Sequence, residues 1–429
     1  MTTLIAVFLR AVFVLLYATP GFAALGMGGG DGFGYHRLAL SFLKTGLLND
    51  PLFLARPPLF PLFIASLFYL TNNINPSVII LANLLLSSAT AGLTFVLASR
   101  LGLSFHIALI SGLLVALDPS SAYYGICPLS EAMFGFLLIL GLFFFAKSCV
   151  PGNLHLPTFF TASLAGITFG LAMLVKPVAM LYWLVPSSIL IFFRQKRRES
   201  ILIIAFSLTC LAGWTLHNKL TWGIPTFSSA GTWNMLFIRG VGVLNRVSDE
   251  PPRLKEKQLV VEIEKRIGNT VTVATAASPQ DYLETTDPRR LAAMRDLAWR
   301  IYREHLGWYL LMIPVGLVRM FFGVPFSFTF SLVVKLIYAV IYLAGLTGIY
   351  TLWKQERRDV AFLIGATIGY FSMITVTAQT AAAGTRFCIP FFPLLAIAAS
   401  STICNLLSRT AAGILKENGK QSLYPPGRR

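Results

Sequence analysis

The chain has 429 residues, of which 55% are hydrophobic and only 12% are charged, and its formal net charge is +17. A soluble domain carries about 25% charged residues, so this composition excludes an ordinary soluble protein and predicts a multispanning membrane protein. The Lys and Arg residues fall in short clusters between apolar segments. This pattern is typical of cytoplasmic loops and not of a nucleic-acid-binding face, so nucleic acid is not an expected partner.

Ten segments are apolar enough to predict spanning helices, each of which needs about 20 apolar residues. The first resembles a signal peptide but has no A-x-A-like end, so we expect a retained helix. The ten segments are 3–26, 77–99, 105–118, 129–147, 158–175, 178–193, 201–217, 331–353, 360–379 and 388–406.

Two further apolar stretches, 58–71 and 307–322, are of ambiguous length. The distribution of charge decides whether each crosses the membrane or lies at its surface. Basic clusters stand at Arg194–Arg198, at Lys354–Arg358 and in the tail from Arg409. The positive-inside rule places all three in the cytoplasm. This is achieved when both ambiguous stretches are interfacial or re-entrant, which leaves ten spans and the N-terminus inside.

That topology sends a defined set of segments to the outer face, and several of them carry ionisable residues. Ionisable groups gathered at a membrane surface predict a functional site. The outward segments are 27–76, 119–128, 176–177, 218–330 and 380–387, and their ionisable residues, with those at adjoining helix ends, include Asp31, Arg56, Glu131, Lys176, His217 and Arg386.

The outer region 218–330 is the one sizeable polar part of the chain. Apolar residues recur at helical spacing over 254–267 and 291–305, which predicts amphipathic helices lying over the membrane body. No independent core is evident there. We therefore divide the chain into an N-terminal catalytic module (1–217), this outer loop (218–330) and C-terminal helices with a basic tail (331–429).

The stretch from Gly30 to Pro61 concentrates polar groups between apolar segments. Asp31 lies between two glycines, and Arg56 precedes a double proline that opens the next apolar stretch. One carboxylate and one guanidinium at the same interface suit a reaction that deprotonates a hydroxyl and releases a phosphate. Asp31 as a helix cap and Arg56 as a headgroup contact are the structural alternatives.

An ordered series of motifs extends this interpretation to a family. The series DGFGYHRLALSFLKTG, ARPPLFPLFIASLF, ALDPSSAYYGICPLSEAMFGFLL, GITFGLAMLVKP, WTLHN and GTRFCIPFFPLLAIAAS resembles the bacterial C-type (GT-C) glycosyltransferases over about residues 5–405. These enzymes are similar to protein O-mannosyltransferases and to the aminoarabinose transferases of lipid A. The resemblance implies an all-α GT-C membrane fold and one-step, inverting transfer from a polyprenyl-phosphate-linked sugar.

The resemblance also implies roles for the charged residues. Asp31 matches the catalytic base, which stands just before a Y-x-x-x-A-like stretch. Arg56, Lys176 and Arg386 match cations that face the donor phosphate, and Glu131 matches a second acidic position. Lys176 and Glu131 also suit purely structural roles, because each lies at the helix end that its charge favours.

Four further residues are candidates for substrate binding: Tyr35, His36, His217 and Asn218. The relatives commonly carry Arg-Asn where this chain has His217 and Asn218, which puts a permanent charge there in doubt. Tyr35 and His36 suit stacking on a sugar, and equally suit the aromatic belt of a bilayer surface.

The sequence does not determine the sugar, the oligomeric state or whether a divalent cation (Mg or Mn) is needed. It also leaves open whether the acceptor is a lipid, a glycan or a protein. The expected location is the bacterial cytoplasmic (inner) membrane, with the site facing the periplasm among membrane lipids. The alternative function is a polyprenyl-linked lipid flippase or a secondary transporter. A transporter, however, would place charges near the bilayer midplane, whereas here most stand at helix ends.

Overall fold

The computed structural model describes residues 1–28, 30–149, 157–326, 328–378 and 384–421, and these form helices without a β-strand. Six helices are long and apolar enough to cross a membrane, so the protein is a multipass membrane protein. They are Ser77–Arg100, Glu131–Cys149, Thr158–Val175, Arg197–Trp222, Ser331–Lys354 (part of the helix Phe328–Lys354) and Arg358–Thr377 (part of Arg358–Ala378).

The other four predicted spans coincide with shorter apolar helices. The first is shorter than expected because it ends at Tyr17, after which the chain is extended and then forms a 3-10 helix over Gly21–Gly26. A helix of 13 residues is about 20 Å long, less than the roughly 30 Å of a hydrocarbon core. These helices are Thr2–Tyr17, Phe105–Leu117, Pro177–Phe192 and Phe392–Ser408, the last being the apolar part of the helix Phe392–Gln421.

The two ambiguous stretches are both helical and neither forms a simple span. Leu59–Thr71 has only 13 residues and packs on the helix Asp31–Thr45. Leu306–Phe322 meets the helix Pro288–Glu304 at 97°, so the pair forms either one broken span or a re-entrant corner. A re-entrant corner agrees with the character predicted from charge, whereas a broken span does not, so the interfacial or re-entrant placement of both stretches stays a prediction.

The polar region between the membrane helices forms a compact unit, here called the outer subdomain (residues 230–304). Its amphipathic helices Pro252–Arg266 and Pro288–Glu304 are joined by a 3-10 helix, Pro279–Glu284. A π-helix, Asn234–Gly240, and the short helices Ala230–Trp233 and Val241–Leu244 complete it. Most of its buried apolar residues, with Met312, form a cluster separate from that of the membrane body, which Leu283 joins. The sequence pattern predicted the amphipathic helices but not this separate core.

The helices of the body have two distinct ends. Glu131–Cys149 starts beside Lys176, and near its other end Lys196 Nζ donates to the Ser148 carbonyl at 2.7 Å. Nineteen residues of helix span about 28 Å. The basic cluster Arg194–Arg198 therefore lies at the end opposite Glu131, and Arg194 binds Asp359 at 2.5 Å, beside the second cluster.

Candidate active site

Five of the charged residues singled out from the sequence form one continuous series of contacts, here called the ion-pair chain. Asp31 Oδ1 binds Arg56 Nη2 at 3.0 Å, and Asp31 Oδ2 binds Arg386 Nη2 at 2.7 Å. Arg386 Nε also donates to Glu131 Oε1, which accepts a second bond from Lys176 Nζ at 2.7 Å. Three cations and two carboxylates alternate, so the ion-pair chain carries one net positive charge.

Asp31 is the first residue of the helix Asp31–Thr45, and its side chain does not cap that helix. The N-cap is Gly30, whose φ of 83° lies in the left-handed region, and no side-chain capping bond is made. Both carboxylate oxygens instead face guanidinium groups, and 38% of the side chain is exposed. Asp31 is therefore ionised, at the edge of the body, and reachable from water.

The loop before Asp31 approaches the body closely at Gly28. Its φ is +70°, and an added Cβ would lie 2.5 Å from Leu129 Cδ1. The Gly28 carbonyl accepts a bond from Arg386 Nη1 at 3.3 Å. The backbone thus approaches the body closely at Gly28, whereas Gly29 lies outside the described residues.

Arg56 is held from three directions. Its Nη1 donates to the Asp31 carbonyl at 2.9 Å, and its guanidinium lies 4.6 Å from the centre of the Tyr35 ring. The Tyr35 hydroxyl lies 3.2 Å from Ser130 Oγ, and Ser228 Oγ donates to the carbonyl of the residue before Arg56 at 2.6 Å. Tyr35 therefore contributes to the site by supporting Arg56.

Glu131 begins the helix Glu131–Cys149, and its side chain is fully buried. Asn83 Nδ2 positions the preceding segment by donating to the carbonyls of Cys127 at 2.7 Å and Leu129 at 2.8 Å. Glu131 Oε2 has no hydrogen-bond partner among the described residues. Asn83 was not among the residues predicted from the sequence, although a lone amide in an apolar helix is a signal for such a role.

The charges of the ion-pair chain determine how Asp31 titrates. Burial acts to raise the pKa of Asp31, but the guanidinium groups of Arg56 and Arg386 outweigh burial and lower that pKa to about 2. Burial acts to lower the pKa of Arg386, but Glu131 and Asp31 together raise it. Asp31 is thus a weak base while both guanidinium groups remain bound to it.

Three predicted substrate-binding residues contact other parts of the structure instead. His36 Nε2 lies 3.1 Å from the Ile74 carbonyl, and His217 Nε2 lies 3.2 Å from the Leu48 carbonyl. Asn218 Nδ2 donates to the Thr226 carbonyl at 2.7 Å. These bonds hold loops in place, and none of them joins the ion-pair chain.

A divalent cation, which the sequence left open, would need a set of oxygen, nitrogen or sulfur ligands. Within the described residues, no three His, Cys, Asp or Glu side chains form a group that could hold a metal ion. The two carboxylates of the site are bridged by Arg386. These residues do not fit a protein-built metal site, and no chemical step below uses one.

The sequence model of the dolichyl-phosphate-mannose-protein mannosyltransferase family matches residues 35–244. This range includes Arg56, Glu131 and Lys176, whereas Asp31 and Arg386 lie outside it. The match confirms the resemblance to C-type glycosyltransferases over the matched residues. No curated protein gives a significant sequence match to the chain.

Solved structures share the fold at low sequence identity. The oligosaccharyltransferase AglB from Archaeoglobus fulgidus, in complex with an inhibitory peptide and a dolichol-phosphate, matches with a TM-score of 0.54, at 13% identity, over 100% of this chain and 51% of that chain. The apo form of the Archaeoglobus fulgidus oligosaccharyltransferase matches with a TM-score of 0.50, at 12% identity, over 99% of this chain and 52% of that chain. ArnT from Cupriavidus metallidurans bound to undecaprenyl phosphate matches with a TM-score of 0.35, at 12% identity, over 92% of this chain and 77% of that chain.

The chain therefore spans about half the length of the oligosaccharyltransferase that it matches. The two oligosaccharyltransferase structures confirm the predicted fold class, which is an all-helical, multispanning GT-C fold. They do not fix the number of spans.

Proposed function

We propose that this protein is an inverting glycosyltransferase that moves a sugar from a polyprenyl-phosphate donor to an acceptor at the outer face of the membrane. The observation that carries the proposal is the ion-pair chain. It joins residues from four distant parts of the sequence at one end of the helical body, and its carboxylate Asp31 is reachable from water.

The donor class follows from charge and from the relatives. One net positive charge in the ion-pair chain favours an anion, and guanidinium groups bind phosphate oxygens in two-point fashion. The name of the matched family includes dolichyl-phosphate-mannose, and the AglB complex contains a dolichol-phosphate. Arg56, Arg386 and Lys176 would hold the phosphate of such a donor, while its prenyl tail would lie along the membrane helices.

The proposed reaction is a single displacement. The acceptor hydroxyl gives its proton to the Asp31 carboxylate while its oxygen bonds to the anomeric carbon of the sugar. The bond from that carbon to the phosphate oxygen breaks, and polyprenyl phosphate leaves with the electron pair. Arg56, Arg386 and Lys176 stabilise the charge that develops on the leaving phosphate. One displacement inverts the configuration.

Binding of the donor would also prepare the base. The donor phosphate competes with Asp31 for the guanidinium groups of Arg56 and Arg386, and each contact transferred to the phosphate raises the pKa of Asp31. The carboxylate thus becomes a stronger base when there is a sugar to transfer. Proton abstraction is coupled in this way to an occupied donor site.

The remaining site residues receive positioning roles in this proposal. Glu131 is buried and binds Lys176 and Arg386, so it orients two cations. Tyr35 supports Arg56. His36, His217 and Asn218 shape the outer loops around the substrate.

We place the protein in the bacterial inner membrane with the ion-pair chain facing the periplasm, because the basic clusters would then be cytoplasmic. In the proposed division, residues 1–217 supply the base and two cations, and residues 218–330 cover the acceptor side. Residues 331–429 supply Arg386.

The test uses purified full-length protein in lipid nanodiscs with a panel of radiolabelled polyprenyl-phosphate sugars and a membrane extract as acceptor. We expect label transfer from one donor and a loss of about 100-fold or more in rate for Asp31→Asn, as for removal of a general base. Asp50→Asn is the matched control, because Asp50 also binds an Arg, at 3.0 Å, outside the ion-pair chain.

Donor consumption separates the proposal from the transport alternative. A flippase or transporter would move the labelled lipid across the bilayer without cleaving its sugar–phosphate bond. Lipid movement with an intact donor, unchanged in Asp31→Asn, would contradict the enzyme proposal.

A further inference from the structure

A cavity of about 600 Å³ lies at the end of the helical body opposite the ion-pair chain. It is open at its mouth, and its charged lining comes from the ends of three separate segments. The charged residues are Arg100, Arg194, Arg357, Arg358, Glu356 and Asp359. Four guanidinium groups against two carboxylates leave two net positive charges. We call this site the basic cavity.

The guanidinium groups of the basic cavity differ in what they already bind. Arg194 is paired with Asp359, and Arg358 Nη2 binds Glu356 at 3.0 Å. Arg100, the last residue of the helix Ser77–Arg100, is exposed and forms no hydrogen bond or ion pair with any described residue. At least one full guanidinium therefore stays available to an anion.

Arg357 is built into the wall of the cavity. Its Nη1 donates to the Leu101 carbonyl at 2.9 Å. Gly102 allows this approach, because its φ is +75° and an added Cβ would lie 3.3 Å from Arg357 Nη1. The loop at Gly102 and the Arg357 guanidinium thus pack closely against each other. Basic side chains that only extended into the cytoplasmic water would not need such a contact.

Beside the basic cavity lies a second space of only about 20 Å³, which has room for one water molecule and not for a lipid chain. That space shares Arg100, Arg194 and Asp359 with the basic cavity, and its inner wall is apolar. The apolar wall includes Phe145, Ala146, Ile189 and Leu363. A cationic mouth next to apolar side chains at a membrane boundary matches an anionic amphiphile better than a fully hydrated anion.

We propose that the basic cavity binds the phosphate headgroup of an anionic membrane glycerophospholipid from the leaflet opposite the active site. Arg100 and Arg358 face the phosphate, and the first part of the lipid's apolar chains lies toward Phe193, which lines the cavity and is 39% exposed. This site is independent of the glycosyltransferase proposal, since it uses none of the residues of the ion-pair chain.

The experiment is native mass spectrometry of the full-length protein released from nanodiscs made of phosphatidylcholine with phosphatidylglycerol. We expect the wild type to retain phosphatidylglycerol. Arg100→Gln should weaken retention by about fivefold, and Arg100→Gln with Arg358→Gln by roughly 25-fold, at about 1 kcal/mol for each cation near the surface. Arg303→Gln is the matched control, because Arg303 is exposed on the outer subdomain.

Each remaining outcome overturns the proposal. Equal retention in wild type, Arg100→Gln and the double variant would show that the basic cavity holds no lipid. Equal loss in Arg303→Gln would show only a general charge effect. Displacement of the lipid by inorganic phosphate at matched concentration would identify a free-anion site. Because the Arg100 side chain has no polar partner among the described residues, its replacement leaves the fold intact.

Discussion

Arg386 is the residue on which the geometry of the site converges, because it alone binds both carboxylates of the ion-pair chain. Its side chain is only 8% exposed, so these bonds are well shielded from water. In the absence of an anionic ligand, the cations lower the pKa of Asp31 to about 2. The ion pairs of Asp31 thus stabilise the fold above about pH 4, and this contribution is lost as the pH falls toward 2.

The first prediction concerns the pH dependence of transfer. Arg56→Gln removes a cation from Asp31, which raises the pKa of Asp31 and moves the acidic limb of kcat/KM to higher pH. In the wild type, the acidic limb of kcat should lie at higher pH than that of kcat/KM, because the phosphate of bound donor draws the cations away from Asp31. Arg37→Gln, which removes a cation bound to Asp50 and Glu284, should leave both limbs unchanged. An unmoved limb in Arg56→Gln would exclude Asp31 as the titrating base.

The second prediction concerns Glu131. Glu131→Gln leaves Lys176 and Arg386 buried with less compensating charge and should lower the free energy of unfolding by about 3 kcal/mol, measured in mixed detergent micelles. Glu262→Gln breaks partly exposed pairs and should cost less than about 1 kcal/mol. The double variant Glu131→Gln with Lys176→Met should recover part of the loss. Equal costs for Glu131→Gln and Glu262→Gln would contradict the role of the buried pair.

At the scale of the elements, the helix Phe328–Lys354 packs closely on the helix Phe392–Gln421 through glycines. A Cβ added at Gly348 would lie 1.9 Å from the Ala398 carbonyl oxygen, and one added at Gly345 would lie 2.4 Å from Leu395 Cδ1. Small residues allow membrane helices to approach in this way. This contact supports the helix that follows Arg386, so close packing at Gly348 helps to hold the ion-pair chain together.

The third prediction follows from that contact. Gly348→Ala should lower the free energy of unfolding by about 2 kcal/mol or more, because the obstacle is backbone and cannot rotate away. Gly369→Ala is the control, since Gly369 lies within the helix Arg358–Ala378 and an added Cβ meets nothing within 4 Å. It should be neutral or slightly stabilising, because alanine favours helix. The comparison is a thermal unfolding series in one detergent.

At the scale of the elements, the sequence predicted most of the fold but not the geometry of its irregular parts. Apolar length located the six long membrane helices, whereas the charge-based prediction that 307–322 does not cross the membrane stays a prediction. The 97° corner there depends on packing between helices, which periodicity does not encode. The core of the outer subdomain was missed for a related reason, since its cluster joins residues from Leu236 to Met312 across several short helices.

For the whole molecule, the sequence predicted that Asp31, Arg56, Glu131, Lys176 and Arg386 would share one face. The structure brings them into contact. Topology and resemblance both indicated these residues, because helix ends on one side of a membrane must lie near one another. Supporting residues such as Asn83 were missed, since its partners lie 44 and 46 residues away along the chain.

The fourth prediction concerns orientation in the membrane. A single cysteine placed at Arg303, in a background where the five native cysteines are replaced, should react with a membrane-impermeant thiol reagent in intact cells. A cysteine placed at Arg198 should react only after the membrane is permeabilised, because the positive-inside rule places that cluster in the cytoplasm. Labelling of both positions in intact cells would contradict the proposed orientation.

The position of Arg386 in the chain has a consequence for biosynthesis. A ribosome delivers Asp31, Arg56, Glu131 and Lys176 to the membrane well before it reaches residue 386. Until then these residues can form only two separate pairs, Asp31 with Arg56 and Glu131 with Lys176. Insertion of the segment that carries Arg386 then closes the gap between the pairs. Assembly of the site is thereby tied to synthesis of residue 386, and a nascent protein released before that point carries two disconnected halves of it.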